Sequence, residues 1–459
     1  MQHWLKSLAA TACVCAAGAL GPSASAQAPG PGQVTSAALQ AADPALRSEY
    51  EALFQRILAN PADLDANFRF AEVATRIGDF EAAIGALERV VFYNPNLARV
   101  RLELGILYFR LGSYAMAREY FETAIAAPDV APEVVGRVRG FLAEIDRRLS
   151  TTQWSFYGQT GFRHQTNASA GPGSPVVRSF GTTGLLDRRF VRRPDWNFFA
   201  LGSLRHIYDL ENQRGDVWET NVATYNARQF EVTRLNVNLL ELQSGPRLAL
   251  SPDEMAGAYI RPYFVGGVVA LGNSYYLGSV GGGVGIGTTL GSLQVEPFVE
   301  FRHRDFHNSP QYRTATQQDG DLWTAGVAAG SPLQGTVRWQ ARAAYVDNET
   351  RDRFSYFGYR QANLDLALPL DLAGPWGDRP WTLTPYAGFS YTLYDSPNPL
   401  VDPRVRREDR EWRVGAGIDL PLYQAIGFGA QVTYSRTDSN LRNYRIDNLA
   451  VSFGPTLRF

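Results

Sequence analysis

The sequence predicts a multidomain chain of α and β parts: an N-terminal α-solenoid over residues 43–150, then a 14-strand antiparallel transmembrane β-barrel over residues 151–459. Three observations predict it. A helical pattern recurs at a spacing of 34 residues before residue 150, and after Thr152 the chain reads strand, turn, strand to its end. The last run alternates throughout, with Leu449, Val451, Phe453, Pro455, Leu457 and Phe459 on one side and Ala450, Ser452, Gly454, Thr456 and Arg458 on the other. Such period-two alternation turns an apolar side to lipid and a small or polar side to a lumen.

The head of the chain carries an address. Residues 1–26 combine Lys6, an apolar stretch from Leu8 to Leu20, and Ala24-Ser25-Ala26 before Gln27, the pattern of a cleavable export signal. That stretch is too short to cross a bilayer as a helix. Cys13 and Cys15 are the only cysteines and both fall inside it, so the exported chain is expected to have neither disulfides nor thiolate chemistry. Residues 27–42, rich in Ala, Pro, Gly and Gln, read as a disordered leader.

In the helical part Pro61 recurs as Pro95, Gly78 as Gly112, Phe80 as Tyr114 and Ala83 as Ala117. This period, with these residue types, resembles the tetratricopeptide repeat. Small Gly105 and Ala117 let two helices approach, while Tyr108, Tyr114 and Phe121 fill the seam between them. An incomplete helix from Arg47 to Ala59 and an amphipathic one from Pro132 to Leu149 read as caps, because repeats cannot bury their faces alone. Repeat arrays of this kind bind on a concave face lined by the first helix of each repeat. Spacing puts Asn67, Arg101 and Tyr108 near that face as candidate client-binding residues.

In the second part candidate strands begin near 153, 195, 216, 234, 258, 275, 292, 319, 335, 355, 381, 409, 424 and 443, an even number, as single-chain bacterial barrels require. Leu293, Val295, Pro297, Val299 and Phe301 alternate with Gln294, Glu296, Phe298, Glu300 and Arg302. Val337, Trp339, Ala341, Ala343 and Tyr345 alternate likewise with Arg338, Gln340, Arg342 and Ala344. Charges on the inner side would be costly in a dry core and suit a wet lumen. With the repeats in the periplasm, the long polar connections Thr166–Pro194, His307–Gln318, Asp347–Phe354 and Asp395–Arg410 face outside. Short turns such as Gly291-Ser292 then face the periplasm.

Composition narrows function. A net charge of -1 argues against nucleic acid as a partner. The run Gly281-Gly282-Gly283-Val284-Gly285-Ile286-Gly287 lacks the lysine of a phosphate loop and reads as a strand with small lumen-facing residues. His303 and His307 stand roughly 13 Å apart on a strand, too far to share one metal ion. His164, Asn167 and Ser169 supply the residue types of a hydrolytic site but lack a nucleophile elbow. No catalytic residue, metal or cofactor is expected.

Two further motifs carry a family resemblance. Residues 156–172, Phe-Tyr-Gly-Gln-Thr-Gly-Phe-Arg-His-Gln-Thr-Asn-Ala-Ser-Ala-Gly-Pro, resemble the first barrel strand and Asn-containing loop of the surface lipoprotein assembly modulators (Slam proteins). Residues 434–441, Tyr-Ser-Arg-Thr-Asp-Ser-Asn-Leu, resemble that family's closing Ser-Asn turn. Thr166-Asn167-Ala168 departs from the expected Ser-Asn followed by an apolar residue.

The resemblance implies a translocator in the bacterial outer membrane, with its repeats in the periplasm. Its partners would be a client surface lipoprotein or small secreted protein, outer-membrane lipid, and the barrel assembly machinery. The terminal Phe453, Leu457 and Phe459 look like the assembly signal that this machinery reads. An exopolysaccharide export porin and a general porin are the alternatives, which neighbouring genes would discriminate.

Overall fold

A computed structural model describes residues 43–459 apart from 96, 127–131, 213, 251–256, 335 and 375–378. The expected export signal and leader lie outside the described residues. The chain divides into two compact units, one covering the helices to Ser150 and one running from Thr151 to Phe459.

The first unit has six helices: α1 (Pro44–Ala59), α2 (Leu64–Ile77), α3 (Phe80–Tyr93), α4 (Ala98–Arg110), α5 (Tyr114–Ile125) and α6 (Pro132–Leu149). Aspartates start the first three. Asp43, Asp63 and Asp79 accept hydrogen bonds from the Ala45, Ala66 and Ala82 amides at 2.9, 2.9 and 3.1 Å, each satisfying an amide that lacks a helical partner. Gly78 and Gly112, 34 residues apart, follow α2 and α4 at φ +96° and +78°, where a side chain would be strained.

Two cores hold the helices. The first joins Ile57 of α1 to Phe70, Leu87, Val90, Leu104 and Leu107. The second joins Ala117 and Phe121 of α5 to Val138 and Ile145 of α6. The flanking helices thus supply the faces that two repeats alone would leave wet. A Cβ on Gly105 would meet the Phe121 ring at 2.6 Å, which is why a glycine stands there.

The second unit is a closed barrel. Its strands are β1 (Thr152–Gln165), β2 (Asp195–Asp209), β3 (Val217–Gln229), β4 (Val237–Ala249), β5 (Tyr259–Leu271), β6 (Ser274–Leu290) and β7 (Leu293–Phe306). They continue as β8 (Gly320–Gln334), β9 (Val337–Thr350), β10 (Tyr359–Ala367, resumed at Leu370–Leu372), β11 (Trp381–Tyr394), β12 (Glu408–Tyr423), β13 (Ile426–Ser439) and β14 (Ile446–Arg458). Each pairs antiparallel with its sequence neighbours, and β1 pairs with β14 to close the ring. The fourteen expected starts lie within four residues of those observed. We call the rim where β1 begins and β14 ends the lower rim.

The outer wall is apolar. Trp154, Tyr208, Trp218, Tyr423 and Phe459 stand exposed near the lower rim, and Trp196, Tyr275, Trp323, Tyr345 and Trp412 nearer the upper one. Trp196 and Tyr208 bracket β2, about 40 Å apart along the strand; with the usual tilt that is about 30 Å of height, enough for a bilayer core. Val268, Val280, Val299, Leu364 and Val432 are exposed between the belts. Such an area facing water would be an aggregation liability, whereas lipid matches it.

Two predictions follow from the helical unit. Gly105→Val should push Phe121 aside and cost about 1–3 kcal/mol, read as a lower thermal transition of the helical circular-dichroism signal in the full chain. Asp63 concerns pH. The Ala66 amide foremost, then the Arg56 guanidinium, hold its carboxyl below the usual range. Its contribution is therefore present above the unfolded value and lost as pH falls through the folded one. Asp63→Asn should flatten the decline in helical stability between about pH 5 and pH 2.

Candidate functional site: the barrel interior and the repeat helices

The barrel interior has two zones. In the lower part, inward side chains of neighbouring strands form a ladder of charges. Glu296 of β7 takes the Tyr259 hydroxyl at 2.7 Å and pairs with Arg261. Arg302 donates to Glu300 at 2.6 Å and to Glu241 at 2.9 Å, while Tyr263 donates to Glu300 at 3.1 Å. Glu219 lies 3.2 Å from Arg205 and 3.4 Å from Arg247. Across the ring, Arg413 meets Asp365 at 2.8 Å, Arg338 meets Asp371 at 2.9 Å and Arg458 meets Asp419 at 2.8 Å.

Signs alternate, so the wall is polar without a long-range field of one sign. The charges sit where alternation placed them. Glu296, Glu300, Arg302 and Arg338 line the interior, opposite the exposed Val299 and Tyr345. The glycine-rich run is β6. A Cβ on Gly283 would meet the Tyr263 ring at 2.6 Å, and one on Gly287 would overlap Tyr259. Those glycines make room for the tyrosines that hold the carboxylates.

The upper part is packed. Phe199, Tyr225, Val237, Val269, Leu271, Tyr276 and Phe306 turn inward near the strand ends and bury against Ala168, Leu235, Tyr312 and Ala315 from the connections. The 307–319 connection is fastened by the Tyr312 hydroxyl, which donates to the Arg234 carbonyl at 2.6 Å, and by the Gln318 amide, which donates to the Tyr276 hydroxyl at 3.2 Å. On the other half, Arg407 lies over the Tyr394 and Tyr444 rings and pairs with Asp409 at 2.7 Å.

Both Asn motifs organise this end. The Asn167 side-chain amide donates to the Gly171 and Asp447 carbonyls at 2.8 and 3.0 Å, and its oxygen accepts from Ser169. Asn440 donates to the Arg406 carbonyl at 2.7 Å and accepts from the Glu408 amide at 3.0 Å. Thr166–Pro194, a long polar connection by its sequence, is therefore a bonded structure. Ser169 donates to the Val191 carbonyl at 2.7 Å, while His164 lies against Trp196 on the outer wall. Serine and histidine do not meet. His303 contacts Asp321 and His307 lies against Tyr275 on the exterior. Among the described residues no cluster of ligands suits a metal ion.

The repeat residues need correction. Asn67 is completely buried, not a groove residue. Its amide donates to the Pro61 and Asp63 carbonyls at 3.0 and 2.8 Å, and Arg89 donates to its oxygen at 3.0 Å. A polar side chain in the first turn of a helix can be buried when every hydrogen-bonding group is met, which spacing alone cannot show. Tyr108 stacks on Tyr120 and donates to Glu88 at 2.6 Å, so it faces the second helices rather than the concave side. Arg101 is half-buried on the same face. The exposed stripe of α2 is instead Asp65, Arg69, Glu72 and Arg76, with Arg99 and Arg110 at the 34-residue equivalents on α4. Phe453, Leu457 and Phe459 are exposed on the outer wall, and the Phe459 ring stacks on Phe156 at 5.3 Å.

Residues 68–132 match the tetratricopeptide-repeat family. Among solved structures, MamA is similar to the helical unit at 21% identity, with a TM-score of 0.21, over 23% of this chain and 59% of that one. The chain thus spans less than two thirds of the MamA structures it matches. A bacterial polysaccharide outer membrane secretin is similar at 11% identity and TM-score 0.33, over 66% of this chain and 98% of that one. The outer membrane channel DcaP of Acinetobacter baumannii is similar at 10% identity and TM-score 0.35, over 67% and 97%. No curated protein sequence matches the chain.

Asn67 supplies a direct check. Asn67→Ala should orphan the Arg89 donor and the Pro61 carbonyl, costing about 2 kcal/mol of helical stability in denaturant melts. An unchanged midpoint would return Asn67 to the surface.

Proposed function

We propose that this chain is an outer-membrane translocator, in which periplasmic repeats dock a client protein and the barrel provides or shapes its way to the cell surface. The observation that carries the reading is the joining, in one chain, of a helical-repeat unit to a barrel with an apolar outer wall and a charge-paired lower lumen. Repeats suit protein docking. A wall of paired charges wets a passing chain without trapping it, because each charge already has a partner. With the lower rim towards the periplasm, the packed end and its long connections face outside. Clients would be surface lipoproteins or small secreted proteins, as the two Asn motifs suggest. Docking would use the exposed α2 and α4 stripe instead of Asn67.

Deleting the gene and comparing protease-accessible surface proteins with the parent strain tests the reading. Loss of a surface lipoprotein supports it; unchanged proteins with lost surface polysaccharide would favour export of sugar. Residues 153–459 behind an export signal should still form a heat-modifiable barrel yet display less client, since every barrel strand but not the repeats remains. Removing Phe459 should lower outer-membrane abundance several-fold, because it takes away the residue whose backbone exchanges hydrogen bonds with Phe156 at 2.8 and 3.2 Å. Equal abundance by immunoblot would reject Phe459 as an assembly signal.

A further inference from the structure

One seam of the barrel differs from the rest. Adjacent strands elsewhere are covalently joined by a connection, whereas β1 and β14 are the first and last strands and meet only through non-covalent contacts. Their ladder runs from Tyr157↔Arg458 to Gln159↔Thr456 and from Phe162↔Phe453 to Gln165↔Ala450. Between these stretches, Thr160 and Gly161 face Gly454 and Pro455 without ladder pairing. Pro455 has no N–H to donate. A Cβ on Gly161 would overlap the Phe453 carbonyl, and one on Gly454 the Thr160 carbonyl, so the two backbones meet there with no side chain of either glycine between them. Comparable breaks, near Pro246 and Pro262 between β4 and β5, near Pro297 between β6 and β7 and at residues 368–369 of β10, fall between strands that the chain itself ties together.

Both ends of this weak stretch are fastened. At the lower rim, Phe156 and Phe459 exchange backbone hydrogen bonds and stack their rings. At the upper rim, the Asn167 amide N–H donates to Asn448 Oδ1 at 2.9 Å and its side chain to the Asp447 carbonyl at 3.0 Å. Thr166 and Leu449 bond twice, and Arg192 pairs with Asp447 at 2.7 Å. Asn167 is buried, and the same side chain orders the connection that packs the upper lumen. A latch on the seam is therefore also a fastener of the lid.

We propose that the β1–β14 seam is a lateral port, opening at Gly161, Gly454 and Pro455 between the lumen and the bilayer, with Asn167 as its upper latch. Its cargo is an acyl chain. A packed upper end obstructs an apolar tail moving along the axis, whereas a sideways exit delivers it into lipid at no desolvation cost. This deepens the delivery reading and rests on it for the cargo, while the port itself is tested without a client.

The full chain suits a cysteine test, since Cys13 and Cys15 both precede residue 27 and an engineered pair stands alone after export. Gln159→Cys with Thr456→Cys places two thiols at directly opposed positions, within disulfide reach in an antiparallel ladder. Ala416→Cys with Val432→Cys does the same between β12 and β13 as a control. The protein is reconstituted into phosphatidylethanolamine and phosphatidylglycerol vesicles doped with a phospholipid whose acyl chain carries a diazirine. Labelling is mapped by mass spectrometry.

We expect the inward Gln431 and Ser452 to be labelled in the parent, about tenfold less in the oxidised seam pair, and fully again after reduction. The control pair should not change it, and Asn167→Ala should raise it. Labelling confined to outward residues such as Phe162 in the parent, or unaffected by the seam disulfide, overturns the port. If the first pair does not assemble, as heat-modifiable migration will show, Phe162→Cys with Phe453→Cys replaces it. Surface display that persists in the oxidised seam variant overturns the acyl-chain route and leaves the delivery reading standing. Display unaffected by removing the repeats counts against client docking and leaves the port standing.

Discussion

Everything in the second unit depends on ring closure. A strand edge carries a row of backbone donors and acceptors, and in a hydrocarbon layer each one left unpaired costs several kcal/mol. Pairing β1 with β14 removes both edges at once. That requirement explains why the last residue matters. The backbone bonds of Phe459 to Phe156 finish a ladder that begins at the first residues of the unit. It also explains why both Asn motifs lie just beyond strand ends, where the chain leaves the ladder and its polar groups need other partners.

The interior follows from alternation under the same constraint. Once lipid claims one side of every strand, the other side is committed to the lumen, and polar residues can occupy it only if they are wet or paired. The lower zone uses pairing across strands, with tyrosine hydroxyls and arginines holding the carboxylates. The upper zone sets an aromatic cluster, with the connections as its second wall, beside buried polar side chains such as Asn197, Gln229, Asn348 and Asp409. One chain thus holds a polar vestibule and a packed end in series.

Most of the architecture was legible because its causes are local or periodic. Strand starts, the even strand number and the 34-residue helical period all repeat along the chain, and repetition survives in a linear reading. Gly105 was recognisable as a close-approach position because Ala117 and Phe121 occur at the matching places. The site residues were less legible. Asn67 looks identical in sequence whether it faces solvent or sits in a cage made by Pro61, Asp63 and Arg89. Tyr108 has the same difficulty, since its partners Glu88 and Tyr120 lie on other helices. His164, Asn167 and Ser169 are near in sequence, yet strand alternation sends His164 to the outer wall while loop bonding keeps Asn167 and Ser169 together.

By itself the sequence determined where the helices and strands lie, which strand faces meet lipid, and that the chain ends on a closing strand. These rest on periodicity, turn chemistry and the side each residue must take. Only the tertiary structure decided which carboxylate each lumen arginine holds, that the upper connections fold inward as a core, and that Asn167 ties the first strand to the last. Those outcomes depend on contacts between residues far apart in the chain, such as Asn167 with Asn448, 281 positions away. Register between distant strands fixes them: alternation forbids a shift of one residue, which would turn every inward side chain outward, but no local pattern chooses among shifts of two.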